Sequence, residues 1–542
     1  MIDMIDRIAE RFRVDRYTVY LVILIIAFIV FLAVKSVYIG AHVDEARWWM
    51  QTKHLQASYF DEPPLVAFQQ FAITKVFGDG VFALRLGSML YNVLSLILVY
   101  VLSLELFGDK MLALFTALLV AIRPLALTTS NIGAANAPFY FFWLVGVFLV
   151  WRAVSRKQKA YWYLAGLAAG LMLLSNLRAF LFFPGVLLFL IASRENRFWL
   201  RRKEPYVAFC VAALMFLPTI LWFASRHFEP IILQFNRSGF IKLGLAGYFS
   251  AVFKHILHEI VGLSPFIYLL CLFGLVYGGY LALTRKDSRF ELLFWMSAPT
   301  ILFFLVTAGI DPHWALPGYM VAILAGMGAL SVLISETSNR RVRKYWLPVV
   351  LTLCVALPFI LTMGETDFAA TSDITTCGWN DIARKAGEVG GSMSGDQKPY
   401  FASPYYPISA EVAYHERNSF SFAGFTLAFS VYEYEYYFDN SNYSPWVPLD
   451  RLKGKDFVFV DEKKSPDDFD TPVSYWKAKL KPYFNTVEEP VIFTEKLVGK
   501  ETRTFYIFKC YGFNGPDSKM DSKGEVRKYV RKLGESSKSD KS

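Results

Sequence analysis

The sequence predicts a polytopic α-helical membrane protein that carries a C-terminal α/β domain outside the membrane. Its 542 residues are 55% hydrophobic and only 19% charged, whereas soluble proteins carry about 25% charged residues. Apolar runs near the ~20 residues that cross a bilayer recur through the first two thirds of the chain. Short loops rich in Lys and Arg separate these runs, and the hydropathy falls after residue 363.

The positive charge of the chain follows this predicted topology. The formal net charge is +10, which by itself would suit a nucleic-acid-binding protein. The Lys and Arg residues, however, cluster in short loops between apolar runs, where such residues set the orientation of membrane helices. The sequence contains no RNA- or DNA-binding motif, so we expect no nucleic-acid partner.

The first apolar run, residues 17–34, follows four arginines. It is long for the core of a signal peptide, and no convincing small-residue cleavage site follows it. It is predicted to be an uncleaved anchor with the N-terminus in the cytoplasm. Later spans are predicted at residues 84–107, 111–128, 137–151, 161–192, 206–223, 256–283, 292–306, 314–333 and 346–363.

Residues 161–192 are long enough for one long helix or for two short spans broken at 175–178. The loops on either side, 152–159 and 194–203, are strongly basic. Both loops are therefore predicted to lie in the cytoplasm. Two spans between them return the chain to the same side of the membrane, whereas one span would place the loops on opposite sides. The full prediction is eleven spans within residues 1–363, with the N-terminus inside and the C-terminus outside.

Residues 364–515 are predicted to form a separate α/β domain on the outer, periplasmic side. Residues 516–542 are rich in Lys, Ser and Asp and are predicted to be a charged flexible tail. One helical segment and three strand-like segments indicate the α/β class, at residues 379–385, 457–460, 491–495 and 504–509.

Two cysteines lie near the two ends of this predicted domain, Cys377 and Cys510. In an oxidising compartment they would either pair or stay as free thiols. The sequence does not supply the distance that a disulfide needs, so both alternatives are open.

The polar stretch from His42 to Pro64 lies between the first two spans and carries more charge than a connector requires. It contains two acidic pairs, Asp44-Glu45 and Asp61-Glu62. The plain interpretation of the first pair is a hydrated helix start, because carboxylates there interact favourably with the helix dipole.

The neighbours of these acids favour a site instead. Arg47, Trp48 and Trp49 form an interfacial aromatic set. Residues 65–77 form an apolar amphipathic segment that suits a membrane surface. These features predict a site at the lipid–water boundary, where a lipid-linked substrate would present its headgroup.

Several motifs follow one another in a recognisable order along most of the chain. They are Asp44-Glu45-Ala46-Arg47, Tyr59-Phe60-Asp61-Glu62-Pro63-Pro64, the stretch from Phe77-Gly78 to Arg85, the stretch from Pro312-His313-Trp314 to Tyr319, and the entry to the outer domain from Asp373 to Trp379. This order resembles the dolichyl-phosphate-mannose-protein mannosyltransferase superfamily, and most closely its bacterial lipid A aminoarabinose transferase-like branch.

The resemblance implies a GT-C glycosyltransferase of the bacterial inner membrane that uses a polyprenyl-phosphate sugar as donor. It implies Asp44 as the catalytic carboxylate, with Glu45 and Asp61 in support. A carboxylate can draw the proton from the incoming hydroxyl, and cations stabilise the departing phosphate. A single displacement of this kind inverts the anomeric centre. The expected acceptor is a lipid or glycolipid of the envelope, foremost lipid A or lipopolysaccharide core.

The chain departs from this pattern at Glu62, where the aminoarabinose transferases have a lysine before proline. The cation expected for the lipid phosphate is therefore missing there. Asn136 stands where relatives often have an acid. Both departures suggest a different sugar or acceptor. Substitute cations at the outer boundary are Arg47, Lys53, His54, Arg123, Arg178, Arg226, His227 and His313, with Arg47 and Arg123 preferred.

Arg123 also has a plain interpretation, which is that its side chain reaches lipid phosphates from the end of a span. The predicted substrate-binding set is Arg47, Trp48, Tyr59, Glu62, Arg85, Arg123, Asn136, Arg178 and His313.

Two other patterns invite a functional interpretation. His255, His258 and Glu259 suggest a divalent metal, but two histidines three residues apart are a weak zinc signal. No cofactor is otherwise indicated. The tyrosine-rich run at 432–437 would bind sugar through its rings or simply form a strand.

Two further functions compete with envelope-lipid glycosylation. The first is protein O-mannosylation, which the absence of the repeat pattern of the eukaryotic enzymes disfavours. The second is a transporter or lipid flippase. Transporters place polar residues near the bilayer midplane, often within internal repeats, whereas the polar residues here gather in predicted outer loops and no repeat is evident.

Overall fold

The computed structural model describes residues 15–38, 40–59, 62–122, 136–228, 230–232, 245–307, 314–364, 378–393, 397–403, 406–416, 418–421, 449–463, 473–497 and 500–514. The chain divides into two units, Met1–Cys377 and Gly378–Ser542. This division lies fourteen residues after the predicted boundary at 363.

The described part of the first unit is helical. Its helices, in chain order, are α1 Arg16–Tyr38, α2 Val43–Gln51, α3 Leu65–Phe77, α4 Val81–Phe107, α5 Lys110–Ile122, α6 Asn136–Ser155, α7 Ala160–Ser175, α8 Phe182–Ala192, α9 Glu204–Ser225, α10 Leu245–Leu263, α11 Pro265–Thr284, α12 Ser288–Val306, α13 Leu316–Ser335 and α14 Arg340–Gly364. Short 3₁₀ helices at Leu177–Leu181 and Arg197–Arg201 lie before α8 and α9.

Seven of the described helices are long and apolar enough to cross a membrane, namely α1, α4, α6, α9, α11, α12 and α13. The helices α3, α5 and α7, and the segment Leu177–Ala192, are apolar but shorter. The protein is therefore a multi-pass membrane protein. The number of eleven spans and the orientation of the termini stay predictions.

The break predicted at 175–178 lies between α7 and the 3₁₀ helix. Asn176 has extended backbone angles, and its side-chain oxygen accepts a hydrogen bond from the backbone N–H of Arg178 at 3.0 Å. Asn176 therefore ends one helix and caps the next. Its amide accounts for the sharp break within an otherwise apolar stretch.

The span predicted at 256–283 begins later in the structure, at Pro265, and ends at Thr284. The structure places two helices there, α10 and α11, which meet at Ser264. Pro265 disfavours helical angles in the residue before it, and Ser264 has a φ of 74°. The Ser264 hydroxyl accepts a hydrogen bond from the N–H of Ile267 at 3.5 Å, so it caps α11.

Helix α13 lies at the centre of the first unit. Every residue from Leu316 to Ala329 is buried, which matches a helix surrounded by others. It packs against α11 and α12. Gly326 of α13 and Gly274 of α11 allow close contact, since a Cβ built on Gly326 would lie 2.4 Å from the Leu270 carbonyl oxygen.

The described residues of the second unit form a sheet of five strands together with α-helices. Its strands are β1 Tyr400–Ala402, β2 Phe457–Glu462, β3 Phe484–Val487, β4 Val491–Leu497 and β5 Lys500–Phe513. Its helices are α15 Trp379–Gly391, α16 Tyr406–His415, the single turn α17 Leu449–Leu452 and α18 Val473–Leu480.

Strand β5 organises this sheet. It pairs antiparallel with β2 along one edge and with β3 and β4 along different parts of its length. Strand β1 extends the sheet by a parallel pairing with β2. The predicted strands at 457–460, 491–495 and 504–509 and the predicted helix at 379–385 are confirmed. Strands β1 and β3 were not predicted.

Cys510 is buried in β5. Cys377, the tyrosine-rich run at 432–437 and the tail at 516–542 lie outside the described residues. The predictions made for them, including the Cys377–Cys510 alternative, are therefore not tested.

We expect Gly326→Ala to destabilise the first unit, because the added methyl group would push α11 and α13 apart. Overpacking of this kind costs about 1–3 kcal/mol. Thermal unfolding of the detergent-solubilised protein should show a lower midpoint. Gly80→Ala is the matched control, since a Cβ at Gly80 meets no atom within 4 Å. Equal midpoints for the two variants would contradict the close contact.

Candidate active site

The polar stretch after α1 folds into the short helix α2, and His42 caps its start. The His42 Nδ1 atom accepts a hydrogen bond from the backbone N–H of Asp44 at 3.1 Å. The Glu45 Oε2 atom accepts one from the backbone N–H of His42 at 2.8 Å. These two reciprocal bonds form a capping box. Asp44 and Glu45 both lie in the first turn, where the helix dipole favours negative charge.

Glu45 forms a buried ion pair with Arg85 of α4. The Arg85 Nε and Nη2 atoms donate to the two oxygens of Glu45 at 2.8 and 2.7 Å. Both side chains are almost fully buried, with exposed fractions of 0% and 1%. Arg85 also donates to the carbonyl oxygens of Gly40 at 2.5 Å and Ser36 at 3.4 Å. One guanidinium thus joins α1, the connecting turn, α2 and α4.

Asp44 stays partly exposed and is held by Arg47. The Arg47 Nη2 atom lies 3.2 Å from Asp44 Oδ1 and 3.7 Å from Glu62 Oε1. The Asp44 side chain is 30% exposed, whereas the Arg47 side chain is only 8% exposed. Arg47 therefore places one buried positive charge between two carboxylates that solvent can reach.

Glu62 has a defined place in this arrangement. Its Oε2 atom accepts a hydrogen bond from the Trp48 indole nitrogen at 2.6 Å, and its Oε1 atom faces Arg47. The acid at this position therefore belongs to a network that fixes Trp48 and Arg47.

Tyr59 fastens the turn that follows α2. Its hydroxyl lies 3.1 Å from the carbonyl oxygens of Gln51 and His54 and accepts a hydrogen bond from the Gln56 N–H at 3.2 Å. Burial raises the pKa of Tyr59 to about 12, so the hydroxyl keeps its proton at neutral pH. Burial also lowers the pKa of His54.

A second set of contacts that holds the loop involves Asp79, which the sequence did not single out. The Trp49 indole donates to Asp79 Oδ1 at 2.8 Å. Lys53 lies 3.5 Å from the same oxygen and 4.3 Å from the Trp49 ring centre. The clue in the sequence was the Gly-Asp-Gly at 78–80, but nothing there indicates a tryptophan partner thirty residues earlier.

Helix α9 also holds the loop. The Trp222 indole donates to Gln56 Oε1 at 3.1 Å, and the Thr219 hydroxyl donates to the Ala57 carbonyl oxygen at 2.9 Å. These contacts anchor the loop against a distant part of the chain.

Arg178 and Asn136 form a second polar cluster of the first unit. Arg178 Nη2 donates to Asn136 Oδ1 at 2.7 Å, and Arg178 Nε donates to Asn176 Oδ1 at 2.8 Å. The guanidinium lies over the rings of Trp314 and Phe139, at 5.5 and 5.7 Å from their centres. The cluster therefore brings the predicted site residues Arg178 and Asn136 together beside Trp314, which follows His313 in the sequence.

Three predicted site residues, Asp61, Arg123 and His313, lie outside the described residues. The metal interpretation of 255–259 gains little from the structure. His255 and Glu259 are buried with Nε2 and Oε1 at 3.5 Å, while His258 is exposed. The described ranges contain no group of three His, Cys, Asp or Glu side chains that could hold a metal ion.

The second unit contains buried and half-buried acids that the sequence did not single out. Asp461 and Glu462 end strand β2, and burial raises the pKa of Asp461 to about 8 and the pKa of Glu462 to about 7. Glu495 accepts a hydrogen bond from Arg503 at 2.8 Å, and Arg503 lies over the Trp379 ring at 4.4 Å. The alternation of the strands gave no sign of these acids.

The sequence is similar to several glycosyltransferases. The family model described as dolichyl-phosphate-mannose-protein mannosyltransferase matches residues 61–222. A lipid A galacturonosyltransferase, RgtD, from Rhizobium johnstonii is 23% identical over 299 residues, covering 53% of this chain and 60% of that protein. An undecaprenyl phosphate-alpha-4-amino-4-deoxy-L-arabinose arabinosyl transferase from Yersinia pestis is 24% identical over 339 residues, covering 61% and 60%. The chain thus matches about 60% of the length of these relatives.

The fold also has solved counterparts. ArnT from Cupriavidus metallidurans superposes with a TM-score of 0.58 at 14% identity, over 92% of this chain and 99% of that one. The same protein bound to undecaprenyl phosphate gives a TM-score of 0.56 with the same identity and coverage. An Archaeoglobus fulgidus oligosaccharyltransferase gives 0.52 at 14% identity, over 89% and 72%.

The chain therefore shares its fold with ArnT and with the oligosaccharyltransferase. The resemblance to the dolichyl-phosphate-mannose-protein mannosyltransferase superfamily is confirmed, and so is the resemblance to the lipid A aminoarabinose transferases within it.

We expect Glu45→Gln to destabilise the first unit strongly. The change leaves the buried Arg85 charge without its counter-ion, and breaking a buried pair costs about 3–5 kcal/mol. The measurement is the thermal unfolding midpoint of the full chain in detergent. Glu336→Gln is the control, because the Glu336–Arg285 pair is 46% exposed on both sides and should matter little. Similar midpoints for both variants would contradict the anchoring role of Glu45.

Proposed function

We propose that the chain is an inner-membrane glycosyltransferase that moves one sugar from a polyprenyl phosphate to lipid A or lipopolysaccharide core. One observation supports this most. A partly exposed carboxylate, Asp44, is held by Arg47 on a short helix that the buried Glu45–Arg85 pair fixes. The named activities of the relatives support the same class of donor and acceptor.

In this proposal Asp44 accepts the proton of the acceptor hydroxyl. The hydroxyl oxygen forms a bond to the anomeric carbon as the bond from that carbon to the phosphate oxygen breaks. The polyprenyl phosphate leaves with the bonding electron pair, and the configuration at the anomeric carbon is inverted. Arg47 orients the carboxylate, and the position of Asp44 in the first turn of α2 favours its ionised form. An ionised, partly exposed carboxylate can reach an incoming hydroxyl.

Glu45 has a positioning role in this scheme. Arg85 and the backbone N–H of His42 engage both of its oxygens, so it serves to hold Asp44 in place. Tyr59 and Trp48 likewise fix the loop. Asp61 keeps its predicted supporting role as a proposal.

The departing phosphate needs a cation. Arg47 already forms ion pairs with two carboxylates, at 3.2 and 3.7 Å. Among the described residues, Arg178 is therefore the stronger candidate for binding the departing phosphate. Two amide oxygens and two aromatic rings orient its guanidinium, and planar guanidinium groups suit phosphate oxygens. Arg123 and His313 stay candidates from the sequence.

A second function, protein O-mannosyltransferase-like activity, has one observation in its favour, which is the description of the matching family model. Mass spectrometry of lipid A, core oligosaccharide and envelope proteins from cells with and without the gene separates the two. A sugar lost from lipid A or core supports the first proposal. A hexose lost only from proteins would replace it with the second.

We expect Asp44→Asn to lower sugar transfer by about 10²- to 10⁴-fold, the usual contribution of a general base. The amide cannot accept the hydroxyl proton, while its size is unchanged. Mass spectrometry of the modified acceptor gives the extent of transfer, and membrane-fraction immunoblotting gives the amount of protein.

Asp109→Asn is the matched control for this variant. Asp109 also starts a helix and accepts the N–H groups of Met111 and Leu112 at 2.8 and 3.1 Å, but it lies in an exposed turn away from the α2 network. Transfer at the wild-type level by Asp44→Asn would remove Asp44 from the mechanism.

A further inference from the structure

The His42 ring makes two contacts with Asp44 through its Nδ1 atom. One of them requires Nδ1 without a proton, and the other becomes an ion pair only when the ring is protonated. Its Nδ1 atom accepts the backbone N–H of Asp44 at 3.1 Å. The same nitrogen lies 3.7 Å from the Asp44 carboxylate oxygen Oδ2. A nitrogen with a free lone pair can accept the N–H, whereas a protonated nitrogen can only donate.

The usual residues at the start of a helix are Ser, Thr, Asp and Asn. The oxygens of Ser, Thr and Asn accept hydrogen bonds throughout the physiological pH range. Histidine is different, because an imidazole changes its charge between about pH 5 and 8. The cap of α2 therefore depends on a side chain whose nitrogen accepts a hydrogen bond in one charge state and donates one in the other.

We propose that His42 is a positioning residue for Asp44, and that protonation of His42 withdraws Asp44 from the reaction. In the neutral state His42 accepts the Asp44 N–H and leaves the carboxylate to Arg47 and the substrate. In the protonated state Nδ1–H turns to the carboxylate, forms an ion pair with it and releases the cap. This inference rests on the proposed function of Asp44.

The backbone around His42 allows such a change without unfolding. Glu45 holds the N–H of His42 at 2.8 Å, and Arg85 holds the carbonyl oxygen of Gly40 at 2.5 Å. The His42 side chain is 16% exposed and that of Asp44 is 30% exposed, so protons can reach both. Only the Nδ1 atom of the imidazole has to change its partner, from the backbone N–H of Asp44 to the Asp44 carboxylate.

The charges near His42 in the described ranges act in opposite directions. Asp44 and Glu45, on α2, favour the protonated ring. Arg47 on α2 and Arg85 on α4 oppose it, each being paired with one of these acids. The positive end of the α2 dipole also opposes a charged ring.

The first test measures transfer from pH 5 to 8.5 by the full-length protein in nanodiscs. The acceptor is lipid A, and the donors are undecaprenyl phosphates carrying 4-amino-4-deoxy-L-arabinose or galacturonic acid. Each profile is normalised to its own value at pH 8. Wild-type transfer should fall about tenfold at one unit below the midpoint of the ring titration. His42→Asn keeps a cap that does not titrate, so its acid limb should move down by at least one pH unit.

His415→Asn is the control, since it removes an imidazole of α16 in the second unit, to which no step of transfer is assigned. Its profile should follow that of the wild type. An acid limb in His42→Asn that coincides with the wild type would overturn the proposal. A merely structural role would lower the rate equally at all pH values and leave the normalised profile unmoved.

The second test does not need transfer. Solid-state NMR of the full chain with ¹⁵N-labelled histidine identifies His42 by the signal that His42→Asn lacks. At pH 7.5 the signal should show the tautomer with the proton on Nε2, and at pH 5.5 it should show both nitrogens protonated. A proton on Nδ1 at pH 7.5 would overturn the capping assignment. If both donors are inert while NMR shows the expected tautomers, the proposed function fails and the capping assignment stands.

Discussion

The buried Glu45–Arg85 pair is the contact on which the candidate active site depends. Burying two charges is costly unless every donor and acceptor is used. Here the guanidinium reaches both carboxylate oxygens, the carbonyl oxygen of Ser36 near the end of α1 and that of Gly40 in the turn after it. A single side chain of α4 therefore fixes the end of one helix and the start of another. This explains how an irregular polar loop can present Asp44 in one orientation.

Around this anchor the loop balances its own charges. Arg47 lies between Asp44 and Glu62, Trp48 holds Glu62, and Lys53 lies between Asp79 and the Trp49 ring. The acid at Glu62, which looked like a missing cation in the sequence, completes this network. Arg178 is then the better candidate among the described residues for the positive charge that binds a lipid phosphate. If so, the chain separates the group that activates the acceptor from the group that receives the leaving phosphate.

Periodicity and charge predicted the helical class, the break at Asn176 and the longer strands, because each leaves a local signal. They did not predict the break at Ser264, where an apolar run continues through a serine and a proline without a change in hydropathy. The site was predicted as a set of residue types rather than as a set of pairs. Glu45 and Arg85 are forty residues apart, and Trp49 and Asp79 thirty, so only the tertiary fold makes them partners. Strands β1 and β3 are three and four residues long, too short to show an alternation.

The arrangement of the second unit bears on how the protein is made. Strand β5 is the last strand among the described residues, yet β2, β3 and β4 each pair with it. Until residue 513 has emerged, none of those three strands has this antiparallel neighbour, and their unpaired edges are open to other chains. The sheet must therefore assemble after its synthesis is nearly complete. A premature stop before Lys500 would leave three strands without their common partner, so even a late truncation should send the product to proteases.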